Sequence, residues 1–108
     1  MGVESRGIGT WTVLRPSGRM DGQTSADLES ECLEHLGGGT PRLALDLAEV
    51  PYVSSAGLRV ILSLFRACAS RGGALALLAP QPMVREVLAV SGFETLLPIH
   101  ASIEELPA

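Results

Sequence analysis

Between Arg42 and Ser70 the chain runs from RLALDL, through the loop AEVPYVSSAG, into LRVILSLFRACAS. A short apolar run followed by a helical segment that is apolar around most of its circumference predicts a central strand and a mostly buried helix. Over Leu58–Ala69 and the residue beyond, the polar exceptions are Arg59, Ser63, Arg66 and Ser70. Their spacings of four, three and four make one narrow helical stripe. The helix therefore shows only that stripe to solvent or to a partner.

The rest of the chain supplies what covers these two elements. Thr10–Arg15 alternates with period two and predicts a strand, with a shorter one before it over Val3–Arg6. Pro16-Ser17-Gly18 reads as a turn, and so does the glycine pair around Ile8. Gln23–Leu36 is an amphipathic helix that Gly37-Gly38-Gly39 ends. Gly72-Gly73 stops the buried helix, and Ala74–Leu78 is a further strand. Pro82–Val90 is a third helix, with proline in its first turn and Gly92 as its cap. Leu96–Ile99 is a final short strand, and Ser102–Leu106 a terminal helical turn capped by Ser102. The order β-β-α-β-α-β-α-β-α predicts one α/β domain over 1–108, a sheet with parallel neighbours and helices packed against it.

Composition narrows the chemistry. The formal net charge is −4 and all eight basic residues are arginine, so no basic stripe is available for nucleic acid. Without lysine there is no phosphate-binding P-loop lysine, no Schiff base and no Ser–Lys dyad. Cys32 and Cys68 lie far apart in helical patterns and read as reduced core thiols; with two histidines at no ligand spacing, no metal site is expected. No basic region precedes an apolar run at the N-terminus, and no segment is long enough to span a bilayer. The expectation is a soluble cytoplasmic protein, with no cofactor and no membrane partner.

That leaves Ser54 and Ser55, which fall at or just outside the start of the buried helix. Backbone N–H groups lack partners there, and the helix dipole favours negative charge. A hydroxyl in that position can cap the helix or carry a phosphate, and the two uses can coexist. A catalytic set can be written with Ser55 as nucleophile, His35 or His100 as base and Asp46 as orienter. The sequence around Ser55, however, is not the G-x-S-x-G elbow. No enzyme is expected. Asp21, Asp46 and Glu49 would place acid at the rim if the strand ends lie side by side. A phosphate would add roughly −1.5 to −2 more charge and act on binding rather than on the fold.

Several segments, in order and at the right spacing, resemble the STAS domains of the anti-sigma factor antagonist family. Ser17-Gly18-Arg19-Met20-Asp21 is similar to its S-G-x-x-D segment. Leu45-Asp46-Leu47 with Val50 to Leu62 is similar to its D-L-x-x-V-x-x-[ID]-S-S-x-G-L-x-x-L signature, and Arg71-Gly72-Gly73 and Val84 to Gly92 follow its later pattern. The resemblance implies a single STAS-type domain with a mixed sheet and helices mainly on one face. It also implies a bacterial partner-switching protein whose unphosphorylated form binds an anti-sigma factor that is also a GHKL-type serine kinase. That kinase inactivates it by phosphorylation at the helix start, and a metal-dependent serine phosphatase restores it. Many members read D-S-S-G-L, with the second serine as acceptor, whereas this chain reads Ser54-Ser55-Ala56-Gly57-Leu58. Ser55 is the acceptor the resemblance favours, Ser54 the second choice. The implied partner surface comprises Asp21, Asp46, Ser54, Ser55, Ala56, Gly57, Leu58 and Arg59 on a monomer or weak dimer. The alternative is a scaffold subunit without a phosphate switch, stressosome-like or ligand-sensing.

Overall fold

The computed structural model describes residues 2–36 and 41–107. Five strands form one sheet in sequential order: β1 (Gly2–Ile8), β2 (Trp11–Ser17), β3 (Arg42–Asp46), β4 (Ala74–Leu78) and β5 (Ile99–His100). β1 and β2 form an antiparallel hairpin, and every later neighbour is parallel, so the sheet is mixed. Four helices connect them: α1 (Ser25–Glu34), α2 (Ser55–Ser70), α3 (Pro82–Val90) and the short α4 (Phe93–Leu96). Parallel strands added one after another, joined by right-handed crossovers, place their connecting helices on one face of the sheet.

That face carries the main core. Leu14, Leu43, Leu45, Leu75 and Leu77 from the sheet pack with Leu28 and Cys32 of α1 and with Val60, Ile61, Leu64 and Cys68 of α2. The buried positions of α2 run Gly57, Val60, Ile61, Leu64 and Cys68, the i, i+3, i+4, i+7 pattern of a core-facing stripe. Each fully buried leucine or isoleucine contributes about 1.5–3 kcal/mol relative to exposure. The opposite face is covered differently. Trp11, Val13, Ala44, Ala76 and Leu78 form a smaller cluster, against which Ile103 and Leu106 of the C-terminal segment pack. The indole N–H of Trp11 donates to the Pro107 carbonyl at 2.7 Å, and Arg42 lies over the ring at 4.5 Å.

Several boundaries depart from expectation. β1 takes in Gly7 and Ile8, because every residue from Gly2 to Ile8 finds a partner between Ser17 and Trp11; the turn is confined to Gly9 and Thr10. For the same reason Pro16 and Ser17 belong to β2, and the chain turns at Gly18, with φ at +106°. α1 begins two residues later than expected and ends at Glu34, although Leu36 still reaches the core. Leu96 lies in α4, not in a strand. Gly92 adopts a left-handed conformation that restarts a helix, with Phe93 and Leu97 anchored in the core. Ser102 precedes a 3-10 turn over Ile103–Glu105 without a side-chain capping bond. Gly37-Gly38-Gly39, expected to end the first helix, lie outside the described residues.

Candidate functional site

The site forms where the loops leaving β2 and β3 close on each other beyond the sheet. Met20 and Val53 make an isolated parallel bridge that extends the pairing of those strands past their ends. Gly18 N–H donates to Glu49 O at 3.0 Å, Met20 N–H to Tyr52 O at 2.9 Å, and Ser54 N–H to Met20 O at 2.8 Å. Met20 is fully buried, and Arg19 beside it lies over the Tyr52 ring at 4.2 Å. The residue in front of α2 is thus pinned by a backbone ladder.

Gly57 completes the arrangement by close approach. A Cβ there would stand 2.8 Å from the Met20 carbonyl oxygen, a backbone atom held in the ladder, and 2.9 Å from the buried Val53 Cγ1, both inside contact distance. Only glycine lets the first turn of α2 press onto the ladder.

The two serines divide the uses open to them. Ser54 is the N-cap of α2, in extended conformation, and its hydroxyl accepts from Gly57 N–H at 3.3 Å while its carbonyl accepts from Leu58 N–H at 2.9 Å. Ser55 is the first helical residue; it is exposed, and its hydroxyl makes no hydrogen bond among the described residues. Ala56 is half-buried, Leu58 packs partly against the core, and Arg59 is exposed one turn from Ser55. Ser55 and Arg59, four residues apart, share a helix face.

Two of the three acids expected at the rim, Asp21 and Asp46, are engaged elsewhere, and Glu49 is exposed beside the loop. Asp21 Oδ1 accepts from Gln23 N–H at 3.0 Å and from Thr24 N–H at 3.3 Å, and its other oxygen faces Arg19 at 3.5 Å. The Gln23 N–H first, then those of Thr24 and the Arg19 side chain, outweigh partial desolvation and hold the Asp21 carboxyl below its usual value. Asp46 shares the sheet face of Val13 and Ala44, opposite α2. There it pairs with Arg15 at 3.3 Å and accepts from Ala48 N–H at 3.0 Å. The strand ends therefore do not bring free carboxylates together beside the serines.

Neither histidine is hydrogen-bonded to a serine. His35 closes α1 through its backbone, and His100 Nδ1 faces Glu105 at 3.7 Å. Cys32 and Cys68 are free and buried, and burial pushes the Cys32 thiol up to about 12 and raises that of Cys68. Both stay protonated and unreactive at neutral pH. Among the described residues no group of three His, Cys, Asp or Glu is placed to hold a metal ion, and no helix is long and apolar enough to cross a membrane.

Sequence reasoning missed the Met20–Val53 bridge, for which an apolar residue inside a polar turn was the only local sign. It also missed a second apolar face on α3. That face was legible in PMVREVLAV, whose only charged residues are Arg85 and Glu86.

Comparison with known proteins agrees with this geometry. The chain is 36% identical over 91 residues to BtrV of Bordetella bronchiseptica, a protein named for an expected role as an anti-sigma factor antagonist; the match covers 84% of this chain and 78% of that one. Its fold matches the anti-sigma factor antagonist of Mycobacterium paratuberculosis with a TM-score of 0.86 at 20% identity, covering 96% and 88% of the two chains. It also matches SpoIIAA, an anti-sigma factor antagonist solved in two states. The unphosphorylated form aligns with a TM-score of 0.80 at 21% identity over 96% and 91% of the chains. The phosphorylated Bacillus form aligns at 0.72 and 20% over 96% and 95%. The STAS domain family matches residues 3–106, nearly the whole described chain. With the sheet, the one-sided helices and the glycine-packed helix start all in place, the chain belongs to the STAS domain family, in the group whose members are named anti-sigma factor antagonists.

Proposed function

We propose that this protein is an anti-sigma factor antagonist of a partner-switching system, in which the unphosphorylated form binds and sequesters an anti-sigma factor. The finer reading is that the anti-sigma factor is a GHKL-type serine kinase. It phosphorylates Ser55, the modified form lets go, and a metal-dependent serine phosphatase resets the switch. The chain acts as substrate and binding module, not as catalyst. The observation that carries this is the division of labour at α2, where Ser54 holds the cap and Ser55 stands exposed with its hydroxyl unengaged. A phosphate at the first helical position faces unpaired N–H groups and the positive end of the dipole, so the helix accommodates it. SpoIIAA, whose fold this chain shares, exists in a phosphorylated form.

Incubating the protein with the purified GHKL-type kinases of its source organism and ATP, followed by mass spectrometry, is the direct test. Phosphate on Ser55 is expected, and phosphate on neither serine would end the switch reading. A scaffold without a switch is favoured by one observation, Ala56 at the position where many members carry the acceptor. The Ser54→Ala/Ser55→Ala double variant separates the two: a switch loses its inactivation by kinase, and a scaffold behaves like wild type.

A further inference from the structure

α3 buries one apolar face and leaves a second one open. Val84 and Leu88 are buried in the core, whereas Met83 is 70% and Val90 84% exposed. Met83, Val87 and Val90 stand at i, i+4 and i+7, so they line one side of the helix. Across from Met83 and Val87 the loop in front of α2 contributes Pro51, Tyr52 and Val53 to a small apolar cleft, and an open depression lined by Met83, Glu86, Val87, Val90 and Ser91 shares Met83 and Val87 with it, so that the two run on as one groove along α3. Soluble domains rarely leave such clusters exposed unless something binds there. Both walls are fixed: the Gln81 amide donates to Ala48 O at 2.9 Å, tying the start of α3 to the loop, and the bridge to Met20 holds Val53.

Two further observations say what occupies it. First, the groove borders the loop that carries the serines. Val53 is a groove wall and also the side chain on which Gly57 packs, and Ser55 lies two residues on, within roughly 7 Å of chain. Second, Glu86 lies on the groove edge and makes no ion pair among the described residues, while Arg85 beside it pairs with Glu94 at 3.7 Å. An occupant that fits is apolar along its length and basic at one edge. From Met83 to Val90 the open face is about 10 Å long, two turns of helix.

We propose that this groove is where the anti-sigma factor docks a short amphipathic helix, its apolar stripe on Met83, Val87 and Val90 and a lysine or arginine opposite Glu86. The inference rests on the function proposed above and adds the partner's chemistry to it. It also supplies the means by which the phosphate acts. A dianion at Ser55 stands at the groove mouth, and a docked helix would have to strip water from it without any gain in apolar contact.

The test is titration calorimetry of the purified GHKL-type kinases of the source organism, with nucleotide, against wild type, Met83→Ser, Val90→Ser and Glu86→Lys. All three side chains are exposed, so melting temperatures should stay within a few degrees of wild type. Loss of affinity of about tenfold or more in Met83→Ser, the scale of a central interface residue, is expected. Glu86→Lys should also weaken binding, and its deficit should shrink as salt is raised. Unchanged affinity in all three, with Ser55 still phosphorylated, overturns the groove and leaves the function standing. A wild type that binds none of the kinases overturns both. If the variants abolish a wild-type dimer in sedimentation without altering kinase affinity, the groove belongs to a second copy of this chain and the proposal is wrong.

Discussion

At the start of α1, Asp21 accepts from the N–H groups of Gln23 and Thr24, the Thr24 hydroxyl donates to Arg19 O, and the Ser25 hydroxyl donates to Asp21 O. At the start of α2, the Ser54 hydroxyl accepts one bond, from Gly57 N–H at 3.3 Å, and the Ser55 hydroxyl makes none among the described residues. Both helices open with the short polar residues favoured at N-termini, yet the turn leading into α1 is tied by several side-chain bonds, none of which caps the helix itself, whereas α2 has a single side-chain cap with an unengaged hydroxyl beside it. What fixes the second end is backbone: the Met20–Val53 bridge and the contact that Gly57 allows. A helix start held by backbone can give up or modify a hydroxyl without losing its position. At α1 the Thr24 and Ser25 hydroxyls are both engaged in the entry turn, and this difference suits α2 and not α1 for a switch.

The comparison can be broken most severely at Gly57. Gly57→Ala should cost roughly 1–3 kcal/mol, the scale of overpacking a close contact, read by urea unfolding. A neutral result would mean that the ladder is not what fixes α2. At α1, Asp21→Ala should lower the melting temperature by more than Ser55→Ala does, and Asp21→Asn should change how stability depends on acid. The folded carboxyl titrates below its ordinary value of 3.8, so its contribution is fully present above that value and is lost as pH falls through the folded pKa. Melting curves from pH 6 to pH 2 should therefore converge for wild type and Asp21→Asn at the acid end. Ser54→Ala should cost about 0.5–1 kcal/mol, the lower half of the capping range, because the bond to Gly57 is long. Smallest of all, Ser55→Asp should leave stability within about 0.5 kcal/mol of wild type or slightly above it, since an anion suits that helix end, while weakening kinase binding. Unfolding of that variant would contradict the open geometry.

The thiols give an independent check of the core that lies behind both helix starts. Cys32, raised to about 12 by burial, should resist alkylation at pH 8 in the native protein and react fully in denaturant.

Much of the architecture was legible because periodicity reports burial directly. RLALD read as a buried strand, and the polar stripe Arg59, Ser63, Arg66 and Ser70 marked the side of α2 away from its core residues. A capping role for one of the two serines followed from their place at the helix start. The acids misled for a physical reason. Strand alternation sends Asp46 to the face away from α2, and Asp21 is consumed by the two N–H groups just beyond it. Proximity in sequence to the loop said nothing about either. The last strand was misplaced because LLPI looks the same whether Leu96 ends a helical turn or starts a strand, and only the anchoring of Phe93 and Leu97 in the core decides it.

The sequence by itself determined one α/β domain, the placing of a serine pair at the head of a buried helix, and the lack of lysine chemistry. These depend on local spacing and residue type, which the chain carries without reference to its fold. Only the tertiary structure decided which serine caps and which stands free. It also decided why position 57 must be glycine, and that the open face of α3 lies beside the loop leading into the same site. Those are contacts between loops more than thirty residues apart in the case of Met20 and Val53, and no local pattern encodes the distance at which two such segments meet.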